Sequence, residues 1–153
     1  MNRYIFLLLS IICMTMTSCL KSGLDDLPAF TDANITGAYF EYRYTVTGPS
    51  GLSELKTQTL SQTGAIDTTQ LTVDMEVTVP AASGTFTETE RDKVAVTNLC
   101  VRFNISNAAS IEPVEGAPVL GISGNFSSPV KYKVIAADGK TSKIWTLTVI
   151  LKK

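Results

Sequence analysis

The sequence contains no histidine, and this absence restricts its possible chemistry. Histidine is the side chain that changes charge near neutral pH, the general base of the Ser-His-Asp triad and the commonest metal-binding side chain. A phosphate-binding loop of the Gly-rich type that ends in Lys followed by Ser or Thr is also missing. We therefore expect no enzyme, no catalytic residue, no bound metal and no cofactor.

Cysteine is scarce, and two of the three cysteines lie close to the N-terminus, at positions 13 and 19. If processing of the N-terminus removes or modifies these two, only Cys100 remains. A single thiol excludes an intramolecular disulfide and is too few soft ligands for a zinc or iron-sulfur site. A lone cysteine in a strand is usually a small, packed, apolar side chain, and a reactive thiol is the alternative.

Charge is sparse and nearly balanced, with 13 basic and 14 acidic side chains and a net charge of -1. No basic excess is present to attract a phosphate backbone, so we expect no nucleic-acid partner. The carboxylates of Glu88, Glu90 and Asp92 lie close together, but Arg91 and Lys93 are interleaved with them. This pattern indicates a solvated loop or strand edge, with glycoside hydrolysis by paired carboxylates or calcium binding as the alternatives.

Long apolar runs are absent except for one near the N-terminus. Arg3 is followed by an apolar run from Tyr4 to Ile12, which is about half of the roughly 20 residues that a transmembrane helix needs. A basic residue followed by a short apolar run and then small residues is typical of a secretory signal. The pattern predicts a signal peptide over residues 1–18.

The segment Met16-Thr17-Ser18-Cys19 resembles the lipobox of bacterial lipoproteins. The resemblance implies cleavage after Ser18, a diacylglycerol thioether on Cys19 and acylation of its amine. Several acyl chains hold a protein stably on a membrane, whereas one chain holds it only marginally. The membrane is therefore an expected partner through Cys19; an ordinary signal peptide followed by a free cysteine is the alternative.

Residues 19–33 contain Gly, Pro and Asp without periodicity, which is typical of a flexible tether. Asp25 and Asp26 resemble the acidic signal that accompanies export of Bacteroidota lipoproteins to the cell surface. This resemblance implies an outer-membrane location, with the protein facing the exterior.

Beyond the tether, apolar and polar residues alternate with a period of two, which indicates strands with one buried and one solvated face. The alternation changes phase near Thr97-Asn98, where we expect a turn or bulge. Asp138-Gly139 between two alternating runs predicts a hairpin, in which both residues would accept a positive φ. The candidate strands are 38–46, 71–79, 99–105, 130–136 and 145–151, with a weaker one at 52–60.

About seven strands without a convincing amphipathic helix predict an all-β fold. We expect residues 34–153 to form an antiparallel, immunoglobulin-like β-sandwich, following the signal peptide and the short tether. A closed barrel is the alternative architecture.

The C-terminal half resembles an immunoglobulin-like domain of unknown function in Bacteroidota lipoproteins, some of which are described as cell-adhesion proteins. The resemblance is carried by Thr97-Asn98-Leu99, Ala108 to Pro113, Asn125 to Val134 and Ala136 to Thr141. The start of the mature chain, Cys19 to Pro28, is similar to lipoproteins that accompany glycan-uptake systems.

The resemblance implies a lipid-anchored, non-catalytic binding module for a glycan or for cell adhesion. The alternative is a structural accessory subunit that docks on another outer-membrane protein of a glycan-uptake system. The first hypothesis predicts an exposed aromatic or polar groove, and the second predicts an apolar patch or an open edge strand.

Exposed aromatic side chains are the main recognition candidates, but most of the aromatic residues are in phase with aliphatic neighbours and are expected in the core. These core candidates are Phe40, Tyr42, Tyr44, Tyr132 and Trp145. Tyr39 is out of phase and shares a face with Glu41 and Arg43. We therefore predict a binding surface at Tyr39, Glu41 and Arg43.

A short motif, Asp67-Thr68-Thr69, resembles the acceptor sequence of Bacteroidota O-glycosylation. The resemblance implies a modified hydroxyl on Thr68. Such a short motif also arises by chance, which is the alternative.

Overall fold

The computed structural model describes residues 29–153, which form two packed β-sheets. The signal peptide and the lipidated Cys19 predicted from the sequence lie outside the described residues. Among the residues described, no helix is long and apolar enough to cross a membrane. The elements are β1 (Ile35–Thr47), β2 (Ser53–Thr59), β3 (Ser61–Asp67), β4 (Thr72–Thr78), α1 (Glu88–Lys93), β5 (Leu99–Ile105), β6 (Ser110–Val114), β7 (Val130–Ile135) and β8 (Ser142–Lys152).

One sheet has three strands in the order β2-β1-β5, and the other has five in the order β3-β4-β8-β7-β6. The sandwich prediction is confirmed, with eight strands where about seven were expected. Most neighbouring strands are antiparallel, but β4 and β8 are parallel. A parallel pair needs a long crossover, and here the chain between β4 and β8 passes through β5 of the opposite sheet before it returns.

The core lies between the two sheets and is built from the apolar phase of each strand. In β1, the alternation places Ala38, Phe40, Tyr42 and Tyr44 on the inner face, and all four are buried. In β4, the same period buries the valines and Met75 while Asp74 and Thr78 remain exposed. These strands therefore confirm the burial that their period predicted.

Trp145 and Tyr132 are fully buried and face each other across the β7–β8 pair. Their polar atoms find partners: the Trp145 indole N–H donates to the Ala33 carbonyl at 3.0 Å, and the Tyr132 hydroxyl donates to the Pro118 carbonyl at 2.8 Å. Burial raises the pKa of Tyr132 far above its usual value, so this hydroxyl remains a donor. The prediction that both side chains lie in the core is confirmed.

The β7–β8 hairpin forms where Asp138-Gly139 predicted it, although its turn differs from the one expected. Only Gly139 of the two residues has a positive φ, at 66°. The Asp138 carboxylate instead closes the loop by accepting the backbone N–H groups of Lys140 and Thr141, both at 2.8 Å. The loop is thus longer than a two-residue turn and relies on the aspartate side chain.

Three elements, β3, β6 and α1, were not expected from the sequence. The predicted weak strand at 52–60 is confirmed as β2, and the buried Leu60 marks the point where the chain leaves one sheet and enters β3 of the other. Strand β6, which includes Pro113, is at the sheet edge, where a proline is tolerated. The acidic segment forms α1 rather than a loop or strand edge, because the Thr87 hydroxyl caps it by accepting the Glu90 N–H at 3.3 Å.

The packed domain begins a few residues before Asn34. Ala33, assigned to the tether from sequence, is fully buried, and the Phe30 carbonyl accepts the backbone N–H of Asp138 at 3.2 Å. The end of the predicted tether therefore runs against the β7–β8 hairpin.

Candidate functional site: a groove at the open edge of strand β5

A groove of about 500 Å³ lies where the edge of β5 faces the long loop between β6 and β7. We call it the β5 groove, and we call residues 115–129 the β6–β7 loop. The groove lies on the side of Tyr39 that faces β5, and it combines aromatic, polar and aliphatic side chains. Its lining residues are Tyr39, Val101, Arg102, Phe103, Asn104, Ile111, Leu120 and Gly121.

The backbone of β5 faces this groove because β5 is an edge strand. The Leu99 carbonyl points away from β1 and accepts the Gly124 N–H at 2.9 Å. Backbone groups in an antiparallel pair alternate in direction, so Val101 and Phe103 turn theirs to the same outer side. The groove therefore offers backbone donors and acceptors as well as side chains.

Tyr39 forms the floor of the β5 groove near β1 and is 36% exposed. Its ring passes over Gly37: a Cβ atom placed on Gly37 would lie 3.0 Å from the Tyr39 Cε2 atom. The Asn104 side-chain amide donates to the Tyr39 hydroxyl at 3.3 Å. The missing side chain at Gly37 thus lets the ring lie along the sheet, and Asn104 holds its far end.

A second hollow, of about 410 Å³, adjoins Tyr39 on the side away from β5. It lies beyond the end of β2, where the N-terminal half of β1 is not paired with β2. Its lining includes Gly37, Gln62 and Gly64. Tyr39 therefore stands between two open depressions, and a ligand longer than one of them could cross its ring.

Arg102 lies directly opposite Tyr39 in the register of β1 and β5. Its guanidinium carbon is 5.9 Å from the centre of the Tyr39 ring, near the outer limit of a cation–π contact. The side chain is 62% exposed, and its Nε atom is 3.6 Å from a Glu41 carboxylate oxygen. Arg102 thus places a positive charge over the Tyr39 ring, where β5 borders the groove.

Glu41 lies on the same outer face as Tyr39 but is only 8% exposed. Its Oε1 atom accepts two hydrogen bonds from Arg43, from Nε at 2.8 Å and from Nη2 at 2.5 Å. The hydrogen bond to Glu41 is the main reason that the pKa of Arg43 is raised. Arg43 also donates through Nη1 to the Gly121 carbonyl, so this pair holds the loop over a sheet face that we expected to be solvated.

The β6–β7 loop forms the second wall of the groove and is held at several points. Gly124 and Phe126 donate their backbone N–H groups to the carbonyls of Leu99 and Val96, each at 2.9 Å. Below the loop, Cys100 is fully buried, with its Sγ atom 3.5 Å from the Ser123 hydroxyl. Cys100 therefore has the packed environment predicted for it.

The structure brings together the three residues predicted as a binding surface, but it gives them different surroundings. Tyr39 lines the β5 groove, whereas Glu41 and Arg43 are engaged with each other beneath and beside the loop. Sequence reasoning missed Arg102 and Asn104, although both alternate with the apolar residues of β5. Their position in the alternation predicts that they point to the outer face of the sheet. Only the β1–β5 register places them beside Tyr39.

The other candidate residues lie away from the groove. Thr68 is exposed in the turn between β3 and β4, where the Asp67 side chain accepts the backbone N–H of Thr69 at 2.7 Å. In α1, a Glu90 carboxylate oxygen accepts from Lys93 at 2.6 Å. Over residues 29–153, no three His, Cys, Asp or Glu side chains come close enough together to hold a metal ion.

The Tyr42 hydroxyl donates to the other Glu90 oxygen at 3.2 Å and ties α1 to β1. Burial, followed by the charge of Glu90, raises the pKa of Tyr42. Glu90 is thus engaged by a lysine and a tyrosine, and it connects the helix to the three-stranded sheet.

Comparison with known proteins adds a similar solved structure. A predicted secreted protein from Bacteroides fragilis is 38% identical, with a TM-score of 0.75, and the match covers 82% of this chain and all of the other. A predicted glycoside hydrolase from Bacteroides thetaiotaomicron is 21% identical, with a TM-score of 0.48 over 86% of this chain and 28% of the hydrolase. This second similarity is too weak to bear on activity.

No curated protein matches the sequence. The profile of one family, described as DUF5018-related, matches residues 35–148, from the first residue of β1 to near the end of β8. This match spans well over half of the chain and covers all of β1 to β7 and most of β8. The chain therefore belongs to the DUF5018-related family.

Proposed function

We propose that this protein is a lipid-anchored, non-catalytic binding module of the outer membrane, and that its β5 groove binds a saccharide. One observation carries the proposal: the exposed ring of Tyr39 lies along the sheet over Gly37, between two hollows, with polar side chains at its rim. A flat aromatic surface with nearby hydrogen-bonding groups suits the apolar face and hydroxyl groups of a pyranose ring.

Export is supported by a similar protein, and anchoring is supported by the N-terminal sequence. The similar protein of Bacteroides fragilis is described as secreted, and its whole length is matched. The N-terminal pattern of this chain is typical of a signal peptide and resembles a lipobox at Cys19, which supports export and anchoring by lipid. A saccharide-binding domain held by lipid at the cell surface would retain soluble glycans close to the membrane.

A non-catalytic role is supported by the engagement of the carboxylates near the candidate surfaces. The residues that line the β5 groove include no carboxylate. Glu41 beneath it is paired with Arg43, and Glu90 in α1 is paired with Lys93. Hydrolysis of a glycoside by the usual mechanism needs two carboxyl groups on either side of the bond, and the groove does not present such a pair.

The proposal is tested by titrating the purified full-length protein in detergent with a panel of polysaccharides, using calorimetry. We expect a Kd of about 0.1–1 mM, which corresponds to only about 4–5.5 kcal/mol of binding free energy. Tyr39→Ala should weaken binding at least tenfold, or by about 1.4 kcal/mol. Leu55→Ala is the matched control, since Leu55 is exposed on β2 away from the groove.

Two results would contradict the proposal. Equal affinity of Tyr39→Ala and the unaltered protein would remove the groove as the site. Turnover of a glycan that is lost on substitution of a single carboxylate would show an enzyme instead.

A second candidate function is docking on another outer-membrane protein of a glycan-uptake system. It is favoured by Val119 and Ile122, which are each 58% exposed on the β6–β7 loop. The open edge of β5 beside this loop could also accept a strand from a partner. Co-purification of a single outer-membrane protein that is lost in a Val119→Asp, Ile122→Asp double variant would support docking, and unchanged co-purification would exclude this loop.

A further inference from the structure

We infer that the saccharide recognised by the β5 groove carries a carboxylate, as in an oligouronate, and that this carboxylate binds Arg102. The inference rests on the proposed function and specifies its ligand class. The basis is the excess of positive side chains on the outer face of β1 and β5.

Two guanidinium groups share one carboxylate on this face. Glu41 accepts two short hydrogen bonds from Arg43, whereas its distance to Arg102 is 3.6 Å, which is longer than a hydrogen bond. Arg43 therefore satisfies the Glu41 charge by the closer contact. Arg43, Arg102 and Glu41 together therefore carry one net positive charge, and Arg102 brings it to the groove.

The guanidinium of Arg102 has donors to offer a ligand. Within residues 29–153, no guanidinium nitrogen of Arg102 makes a hydrogen bond; its ion pair with Glu41 is 3.6 Å long, and its side chain is 62% exposed. A guanidinium presents paired N–H groups that match the two oxygens of a carboxylate, and such charge-assisted pairs are stronger than neutral hydrogen bonds. Arg102 is thus available for a bidentate contact.

Nothing else that lines the β5 groove opposes an anion. Arg102 is the one lining residue with a full charge, and the lining has no acidic side chain. On β6, Glu112 follows the lining residue Ile111 but lies 3.4 Å from Lys133 of the next strand. The groove therefore has one sign of charge, positive, at the point where a ligand would meet Tyr39.

The position of Arg102 relative to Tyr39 favours a sugar over an acidic peptide. The guanidinium carbon is 5.9 Å from the ring centre and belongs to the cross-strand neighbour. A pyranose ring stacked on the part of the Tyr39 ring that Arg102 leaves open would bring a carboxylate at its edge within reach of this guanidinium. An acidic peptide would need only the β5 edge and Arg102, and would leave the tyrosine platform unused.

The test compares ligands that differ in the carboxylate alone. The full-length protein in detergent is titrated at low salt with a panel of oligouronates and with the carboxyl-reduced form of each, which is a neutral sugar of the same linkage. We expect at least one oligouronate to bind at least tenfold more tightly than its reduced form. Raising the salt to about 150 mM should narrow this difference, because an exposed charge contact is screened.

Variants locate the contact. Arg102→Gln should remove the preference for the oligouronate while leaving the weaker affinity for the reduced sugar, and Arg102→Lys should retain part of the preference. Lys56→Gln is the matched control, since Lys56 is a partly exposed cation on β2 that pairs with Glu54. Its preference for the oligouronate should be unchanged.

The outcomes separate this inference from the function on which it rests. Equal binding of the oligouronates and their reduced forms, lost in Tyr39→Ala, would overturn the carboxylate contact and keep the saccharide site. No binding of any sugar would overturn both. Tighter binding of a poly-glutamate peptide than of every oligouronate, lost in Arg102→Gln, would replace the saccharide by an acidic peptide.

Discussion

Replacing Trp145 by alanine should destabilise the fold more than any surface change, because this side chain fills the space between the two sheets. Its exposure is 0%, and it packs in β8 opposite Tyr132 of β7. Truncation of a buried tryptophan costs about 3–5 kcal/mol through lost burial and the cavity left behind. Loss of the indole N–H also leaves the Ala33 carbonyl without its donor at 3.0 Å.

Urea unfolding followed by circular dichroism measures this effect. With a slope of about 1–3 kcal/mol per molar urea, the expected loss moves the midpoint by about 2 M. Total stability for a single domain is about 5–15 kcal/mol, so Trp145→Ala could leave little folded protein. Trp145→Phe keeps most of the volume and loses the donor, and it should cost about 1–3 kcal/mol, the penalty for an unsatisfied buried group.

The neighbouring Ile144 is the matched control, since it is 48% exposed on the same strand. Ile144→Ala should change the free energy of unfolding by about 0.5 kcal/mol or less, as expected for a surface site. A loss below about 1 kcal/mol in Trp145→Ala would refute the reasoning. So would red-shifted tryptophan emission that iodide quenches freely in the unaltered protein.

Three further predictions concern the anchor, the hairpin and the modification motif. Cys19→Ala should release the protein from the membrane fraction of its cells; retention through an alkaline wash would show another anchor. Hydrogen bonds from Thr141 lower the pKa of Asp138, so the stabilisation by the charged form is present above the unfolded pKa of about 3.9 and is lost as the pH falls through the folded value. The difference in melting temperature between Asp138→Ala and the unaltered protein should therefore shrink below about pH 4, and a constant difference from pH 7 to pH 2 would assign the effect to something other than this charge. Thr68 should carry a glycan in protein isolated from its own cells, seen as a mass increase of the peptide that spans residue 68, and the same mass in Thr68→Val would disprove modification there.

The sequence by itself predicted those strands that bury one face. In β1, β4, β7 and β8, the alternation of apolar and polar residues reflects a local rule, because successive side chains of a strand point to opposite sides. The burial of Tyr132 and Trp145 followed from this phase alone. The hairpin between them was visible for a similar reason, since Asp138-Gly139 has a strong local preference for a turn.

Strands β3 and β6 and helix α1 were not visible in the pattern. Each lies at an edge or on the surface, and α1 has no buried residue. Where neither face is fully buried, the order of apolar and polar residues carries little information about secondary structure. These elements form because the sheets already present offer an edge to pair with, or because a residue such as Thr87 caps the first turn.

The candidate site divides in the same way. The phase of β1 was enough to predict that Tyr39 points away from the core. The partners of Tyr39 depend on the tertiary structure: Arg102 and Asn104 are about 65 residues further along the chain and arrive through the register of β5 on β1. Gly121 and the loop around it come from still further away and are held by Arg43. Local alternation determines which way a side chain points, but only long-range pairing decides which side chains of other strands it contacts. The β5 groove depends on such pairing, because its lining comes from β1, β5, β6 and the β6–β7 loop.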